Sequence, residues 1–271
     1  MRSLGVGEQT LAYVPAGSVP SGSSAGVNVA VDTAATSHLS PLTSHFTCAT
    51  FRLYDGEDYC VPFAIDADQV ENTRTLAKSS APYTVCLPYA LDIPAGAKAY
   101  RLSGRSANEL IFAEHISRLE AMQPYLIWTE QSDAQLSAVG TTLPASTDPS
   151  TIGRQQQTVG YTLRGTLTGI ANQEAVELGA YVMNDDAKWH PVLSDTDAHR
   201  AAAVPPFRAY LLQSRQGTRA AIGMVLEDAT GIQQLRTIDR DGTERVYDLQ
   251  GRRIDTNAKG IVISNGRKVL R

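Results

Sequence analysis

The residues with the clearest potential for metal chemistry lie around His190. This histidine follows Trp189 and the polar run Asn184-Asp185-Asp186. Carboxylate and imidazole groups can share one divalent ion, so Asp185, Asp186 and His190 form a candidate metal site. The same run is typical of a tight turn between two strands, in which Trp189 would pack in the core and His190 would stay at the surface. The sequence favours this second interpretation, and we predict no metal.

A second group of possible ligands consists of Asp195, Asp197 and His199. Alternating acidic residues can place several oxygens around one calcium ion. The glycine and the distal glutamate of a complete calcium loop are absent from this segment. A solvated polar loop therefore explains these residues better than a calcium site does.

Three glutamates raise the question of glycoside hydrolysis, which requires two carboxyl groups at a defined separation. Glu109, Glu114 and Glu120 are the candidates, but spacing along the chain does not establish that separation. Exposed strand or turn positions explain them without a catalytic role. The sequence also contains no Walker loop and no dinucleotide-binding fingerprint. We therefore expect a protein that is not an enzyme and that uses no cofactor.

The cysteines give no sign of a metal or disulfide framework. Cys48, Cys60 and Cys86 are three in number, and each lies among apolar or β-branched neighbours. Their spacing matches no zinc motif, and an odd number is unsuited to a disulfide scaffold. We expect three buried thiols on strands.

Aromatic side chains provide the main candidate for a binding surface. Tyr54, Tyr59, Tyr125 and Trp128, with Trp189 as a further member, would form a platform on which sugars stack if they faced solvent. Their strand context favours packing in the core instead. Both alternatives stay open at the level of the sequence.

The overall composition is that of a folded protein with balanced charge. The chain has 271 residues, of which 42% are hydrophobic, and 24 basic residues stand against 28 acidic ones. This balance gives no reason to expect nucleic acid as a partner. No apolar run approaches the roughly 20 residues of a membrane helix, so we expect no membrane span. The first residues do not form a secretory signal, and we expect the chain to be part of a longer protein.

Many short β-type runs separated by turn residues predict the fold. Residues 83–87 and 124–128 are the clearest of these runs, and no segment has a convincing amphipathic helical pattern. The fold class expected is all-β, with an antiparallel β-sandwich or barrel-like domain and a small C-terminal β-meander. Residues 109–121 fit strands or a short helix equally well. The polar residues 141–157 predict a long surface loop.

Composition also divides the chain into three parts. Residues 1–46 are rich in small and polar residues and are expected to be the end of an upstream repeat or a linker. Residues 47–230 carry the sandwich-like domain. Residues 231–271 form a separate β tail, in which Asn265-Gly266 predicts a two-residue hairpin turn.

The tail resembles the C-terminal sorting domain of proteins exported by the bacterial type IX secretion system. The matching residues are Tyr247, Asp248, Leu249, Gly251, Arg252, Gly260, Ile261, Lys268 and Val269. The resemblance covers about residues 244–271. It implies that the tail directs export or attachment and that the secretion machinery is a partner.

A second resemblance covers residues 10–94 and concerns a β module that follows leucine-rich repeats in large bacterial surface proteins. It rests on residues 11–17, which look like the last strand of an upstream repeat, and on residues 53–59, 73–76 and 83–89. It implies an extracellular or cell-surface location and a structural or adhesive role, with a host or matrix glycan or protein as partner. The alternative is a carbohydrate-binding β-sandwich attached to a secreted glycan-degrading protein.

Overall fold

A computed structural model describes residues 10–15, 27–33, 46–106, 109–146, 155–194, 202–214 and 220–228, together with the backbone of four short strands near the C-terminus. The chain divides into two compact units, Met1–Val225 and Leu226–Arg271. The described residues are mostly strand, and the expected all-β class is confirmed.

The larger unit is built from short strands. In chain order they are β1 (Ala12–Val14), β2 (Val29–Asp32), β3 (Phe46–Leu53), β4 (Ile65–Asn72), β5 (Thr75–Leu76), β6 (Tyr83–Cys86), β7 (Ala97–Ser106), β8 (Glu109–His115), β9 (Pro124–Thr129), β10 (Ala134–Gln135), β11 (Ala138–Leu143), β12 (Gln155–Thr158), β13 (Tyr161–Thr166), β14 (Ala180–Met183), β15 (Trp189–Pro191), β16 (Arg208–Gln213) and β17 (Gly223–Glu227). One helix, α1 (Asn172–Leu178), lies between β13 and β14.

These strands form three five-stranded sheets and a two-stranded ribbon. The first sheet has the order β1-β2-β3-β4-β11, the second β17-β8-β7-β9-β6 and the third β12-β13-β16-β14-β15, while β5 pairs with β10. Most pairs are antiparallel, but β1 pairs with β2 and β3 with β4 in parallel. None of the described sheets closes on itself, so the architecture is sandwich-like and not a barrel.

The second sheet is covered on both of its faces. The largest core cluster joins residues of the first sheet, such as Phe46 and Ile65, to residues of the second sheet, such as Ile127. Towards the third sheet, the ring of Phe112 on β8 stacks on that of Trp189 on β15, with centroids 6.2 Å apart. A strand covered on both faces needs a continuous apolar run, and this explains the sequence Pro-Tyr-Leu-Ile-Trp of β9.

The prediction of a loop over residues 141–157 was wrong at both ends. β11 extends through Leu143, and β12 begins at Gln155 and pairs with β13. One residue of the polar strand β12, Gln156, is buried. Its side-chain amide accepts a hydrogen bond from Leu102 N (2.8 Å) and donates one to Pro124 O (2.7 Å). A glutamine side chain can in this way form hydrogen bonds with backbone groups that lack a partner in a neighbouring strand. Amino-acid composition alone does not reveal such hydrogen bonds.

The ambiguous segment near Glu109 is the strand β8, which pairs with β7. The helix α1 was not predicted. It ends at Gly179, which has a φ of 71° and donates its N–H to helix carbonyls, the usual arrangement of a glycine that terminates a helix. With seven residues, α1 is far shorter than the roughly 20 residues of a bilayer-spanning helix, and no helix in the described ranges meets that requirement.

The smaller unit contains four strands, β18 (Val246–Tyr247), β19 (Arg253–Ile254), β20 (Ile261–Ser264) and β21 (Arg267–Leu270). They are paired antiparallel in the order β19-β18-β20-β21. β20 therefore lies beside β18 and not beside β19, so the order differs from that of a simple meander. Ser264 lies opposite Arg267, which is the register that a two-residue connection requires.

Candidate functional site

A recess of about 250 Å³ lies where the ends of several strands of the larger unit meet. Its walls come from the β4–β5 connection, the start of β6, the end of β14 with the turn that follows it, and the start of β16. The residues that line it are Arg74, Ser79, Ala81, Pro82, Tyr83, Thr84, Val182, Met183, Asn184, Asp185, Ala203, Val204, Pro205, Arg208 and Ala209. Asn184 and Asp185 are exposed, so the recess opens to solvent.

Arg74 is the residue that distinguishes this recess. Its side chain is buried, with 8% of its surface exposed. The backbone holds it in place, because Arg74 N donates to the side chain of Asn72 (2.9 Å) and Leu76, two residues later, is fully buried. Its Nη1 donates to Thr84 O at 3.1 Å and to Phe207 O at 3.5 Å. Nε and Nη2 have no acceptor among the described residues, and no described carboxylate forms an ion pair with them.

A second arginine stands beside the first but is already neutralised. Arg208 Nη1 and Nη2 donate to the two carboxylate oxygens of Asp55 at 2.9 and 3.0 Å. This is the two-pronged geometry that arginine forms with carboxylates. Arg208 therefore has its counter-ion, whereas no carboxylate in the described ranges forms an ion pair with Arg74.

The surroundings explain the electrostatic state of Arg74. Burial, followed by the positive charge of Arg208, lowers the pKa of Arg74 from its usual 12.5 to about 9, while Asp55 and Tyr83 act in the opposite direction. The guanidinium is therefore still charged at neutral pH. It also lies over the ring of Tyr83, 5.7 Å from the centroid, where the electrons of the ring face attract a cation.

A strained residue precedes Arg208 and accepts a hydrogen bond from Arg74, although it does not line the recess itself. Phe207 has a φ of 61°, a left-handed conformation that is uncommon for a bulky side chain. Its carbonyl accepts hydrogen bonds from Cys86 N at 3.1 Å and from Arg74 Nη1. Backbone strain of this kind is concentrated at binding and catalytic sites. The arrangement as a whole can hold a negatively charged group against the free edge of the Arg74 guanidinium.

The predicted aromatic platform is not formed. Tyr59 and Tyr125 are 2% and 1% exposed, and the hydroxyl of Tyr59 donates to Pro144 O, so both belong to the core. Tyr54 and Trp128 are partly buried, and no ring contact joins them. The prediction is wrong for the two buried tyrosines. Tyr125 lies on β9, which is covered on both faces, and Tyr59 lies in the connection between β3 and β4 with its side chain in the main core cluster. Trp189 is likewise fully buried.

The turn interpretation of Asn184-Asp185-Asp186 agrees with the structure. These residues connect β14 to β15, and Asn184 N donates to Lys188 O across the connection. His190 Nε2 lies 2.9 Å from Asp186 Oδ2, and this contact lowers the pKa of the Asp186 carboxyl. Asp185 faces the recess instead, and no group of three metal-binding side chains occurs in the part of the chain that the structure describes.

The remaining acidic candidates are one group outside the described residues and three glutamates. Asp195, Asp197 and His199 lie outside the described residues. Glu109 and Glu114 are five residues apart on β8, so they point to opposite faces, about 17 Å apart along the strand. Glu114 Oε1 lies 3.7 Å from Lys98 Nζ, and the side chain of Glu120 is exposed.

The expectation of three buried thiols holds for two cysteines. Cys48 and Cys86 are buried, and burial raises the pKa of both, that of Cys86 to about 12. Cys60 is exposed, which corrects the prediction. Residues 59–63 form part of the connection between β3 and β4 and not a strand, and Cys60 points to solvent between the buried Tyr59 and Val61.

Only some residues of the sorting-like motif fall on described strands. Tyr247 lies on β18, Ile261 on β20, and Lys268 and Val269 on β21. The others lie outside the described residues, namely Asp248, Leu249, Gly251, Arg252 and Gly260.

A short Ser/Gly stretch at residues 22–26 has the letters of the Gly-x-Ser-x-Gly nucleophile motif, and it also lies outside the described residues. That motif requires a helix directly after it. Here a turn and the strand β2 follow the stretch instead of a helix.

Comparisons with known proteins give no relative for this chain. No protein-family model, no curated protein and no solved structure matches it.

Proposed function

We propose that this chain is a non-enzymatic adhesive module of a secreted or cell-surface bacterial protein and that it contacts its partner through the Arg74 recess. The observation that carries the proposal is the buried charge of Arg74, which forms no ion pair with the described residues and lies in an open recess. A buried charge without a counter-ion is costly, so it is retained where a ligand supplies the missing partner. Fixed strand ends hold the surrounding side chains in place, which reduces the cost of ordering them on binding.

The proposed partner is a host or matrix glycan. A recess with a few convergent polar groups is the usual form of a small-molecule site, and here Ser79, Asn184 and Arg74 provide such groups. The test is to apply the full chain to an array of host and matrix glycans, beside a variant with Ala203→Trp. Ala203 lines the recess and is exposed, so a tryptophan there should block entry without altering the core.

Adhesion predicts binding to a subset of glycans that the Ala203→Trp variant loses. Binding that is equal in both proteins would place the contact surface elsewhere. Absence of binding to every glycan by a folded protein would contradict the adhesive role.

We propose, in addition, that residues 244–271 direct export or attachment. The order and spacing of the motif residues support this proposal, as does the antiparallel pairing of β18 with β20 and of β20 with β21. The test is a secreted reporter fused to these residues in a bacterium with a type IX secretion system. A matched fusion carries Gly260→Asp and Lys268→Glu. Equal surface delivery of the two fusions, or delivery of the reporter without the tail, would contradict the proposal.

A further inference from the structure

The free edge of the Arg74 guanidinium is the starting point for identifying the ligand. Nη1 donates to Thr84 O and Phe207 O, and Cζ lies over the ring of Tyr83. Nε and Nη2 are thus left side by side. Two parallel N–H donors on one edge match the two oxygens of a carboxylate, as the pair between Arg208 and Asp55 shows within the same protein.

The charge of the recess limits the ligand to one negative charge. Arg208 is neutralised by Asp55, so Arg74 is the one uncompensated cation among the described lining residues. Asp185 lines the same recess and would repel a second negative charge. A phosphate dianion and a peptide with several acidic residues are both disfavoured by this arrangement.

The other lining groups suit a ligand rich in hydroxyls. Asp185 can accept hydrogen bonds from hydroxyls, while Ser79 and Asn184 can both donate and accept them. Pro82, Val204 and Pro205 provide apolar surface for the carbon-bound faces of a ring. The volume of about 250 Å³ lies below the roughly 300–1,000 Å³ of sites for drug-sized molecules, so the recess holds one sugar residue and not an oligosaccharide.

We propose that the recess binds a single carboxylated sugar residue, a uronic acid, with its carboxylate on Nε and Nη2 of Arg74 and its hydroxyls on Asp185, Ser79 and Asn184. This inference rests on the proposed adhesive function, because it names the feature of the glycan that is recognised.

The experiment measures binding of sodium glucuronate to the full chain by isothermal titration or by chemical-shift changes. Glucose serves as the neutral comparison, and inorganic phosphate and triglutamate as the alternative anions. The proteins are the wild type, Arg74→Lys, Arg74→Met and the control Arg105→Met. Arg105 also lies over a tyrosine ring, that of Tyr161 at 5.1 Å, but it does not line the recess.

The proposal expects glucuronate to bind at least tenfold more tightly than glucose, since a charge-assisted pair is worth about 1.5–3 kcal/mol. Arg74→Met should lose that preference, Arg105→Met should keep it, and Arg74→Lys should keep only part because lysine lacks the two-pronged edge. A thermal melt of each variant confirms that it is folded. If Arg74→Met does not fold, Arg74→Lys and the blocking variant Ala203→Trp decide the question.

Equal affinity for glucuronate and glucose, or tighter binding of phosphate or triglutamate, would overturn the proposal. The two proposals can fail separately. Binding of free glucuronate without binding to any glycan on the array would uphold the site and reject the adhesive role. Loss of array binding in Ala203→Trp, without any preference for uronic acids, would uphold adhesion and reject the carboxylate.

Discussion

Replacing Arg74 with methionine should stabilise the protein while it removes the binding site. Methionine is unbranched and adaptable, so it can fill the space of the arginine stem without a charge. An arginine that served only the fold would give the opposite result, because removing one member of a buried, satisfied pair is strongly destabilising.

The magnitude follows from the electrostatics of the recess. The fall in the pKa of Arg74 from 12.5 to about 9 means that the folded state disfavours the charged form by roughly 5 kcal/mol, at about 1.4 kcal/mol for each pKa unit. The hydrogen bonds from Nη1 to Thr84 O and Phe207 O offset part of this cost, by about 1.5 kcal/mol or more each. The variant should therefore gain roughly 1–3 kcal/mol in its free energy of unfolding.

Urea titrations at pH 7, followed by far-ultraviolet circular dichroism, measure this difference. An increase of that size should raise Tm by about 2–4 °C for each kcal/mol in a domain of this size. The cost of the charge is present at all pH values below the folded-state pKa, so the gain should be constant from pH 6 to pH 8. A loss of about 3 kcal/mol or more in Arg74→Met would refute the reasoning, since it would show that the protein itself satisfies the charge.

Three further predictions concern the packing and burial of side chains in the larger unit. Gly165→Ala should destabilise the larger unit by about 1–3 kcal/mol, because the added Cβ would lie 2.8 Å from the Cβ of Cys86 and closer still to its sulfur. Adding Cys86→Ala should restore part of the loss in a double-mutant cycle, whereas Gly104→Ala, whose added Cβ meets Ile111 at 3.8 Å, should change little. Gln156→Leu should lower the free energy of unfolding by about 2–4 kcal/mol in a denaturant titration, because it leaves two backbone groups of the second sheet unpaired. An unchanged free energy of unfolding would mean that these groups find other partners. A thiol reagent at pH 8 should label Cys60 alone in the native protein and all three cysteines after unfolding, and native labelling of a second cysteine would contradict the burial described above.

The strands that sequence alone predicted best are those with a continuous apolar run or regular alternation. β6 and β9 are examples, since their side chains are buried in a way that the hydrophobic pattern reports directly. The end of β11 and most of β12 fall within the predicted loop of residues 141–157, because threonine and glutamine are frequent in those positions. Their place in the sheets depends on partners far away in the chain, such as the backbone of Leu102 and Pro124 for Gln156, and no local pattern encodes such partners.

The candidate site was missed for the same reason. Arg74 lies in the run Thr73-Arg74-Thr75-Leu76, whose pattern predicts an ordinary exposed arginine on a strand. Its burial is created by residues more than a hundred positions later, including the carbonyl of Phe207 and the neighbouring Arg208.

Gln156 and Arg74 show why one buried polar residue is explained by the fold and the other is not. Both lie inside the larger unit with less than a tenth of their surface exposed. The amide of Gln156 has an acceptor and a donor, each at a normal hydrogen-bond distance, so its burial costs little and joins two sheets. Among the described residues Arg74 has acceptors for Nη1 alone, and no described carboxylate forms an ion pair with it, although the nearby Asp55 pairs with Arg208. The unfilled edge of Arg74 is therefore best understood as half of an interaction, of which the ligand provides the other half.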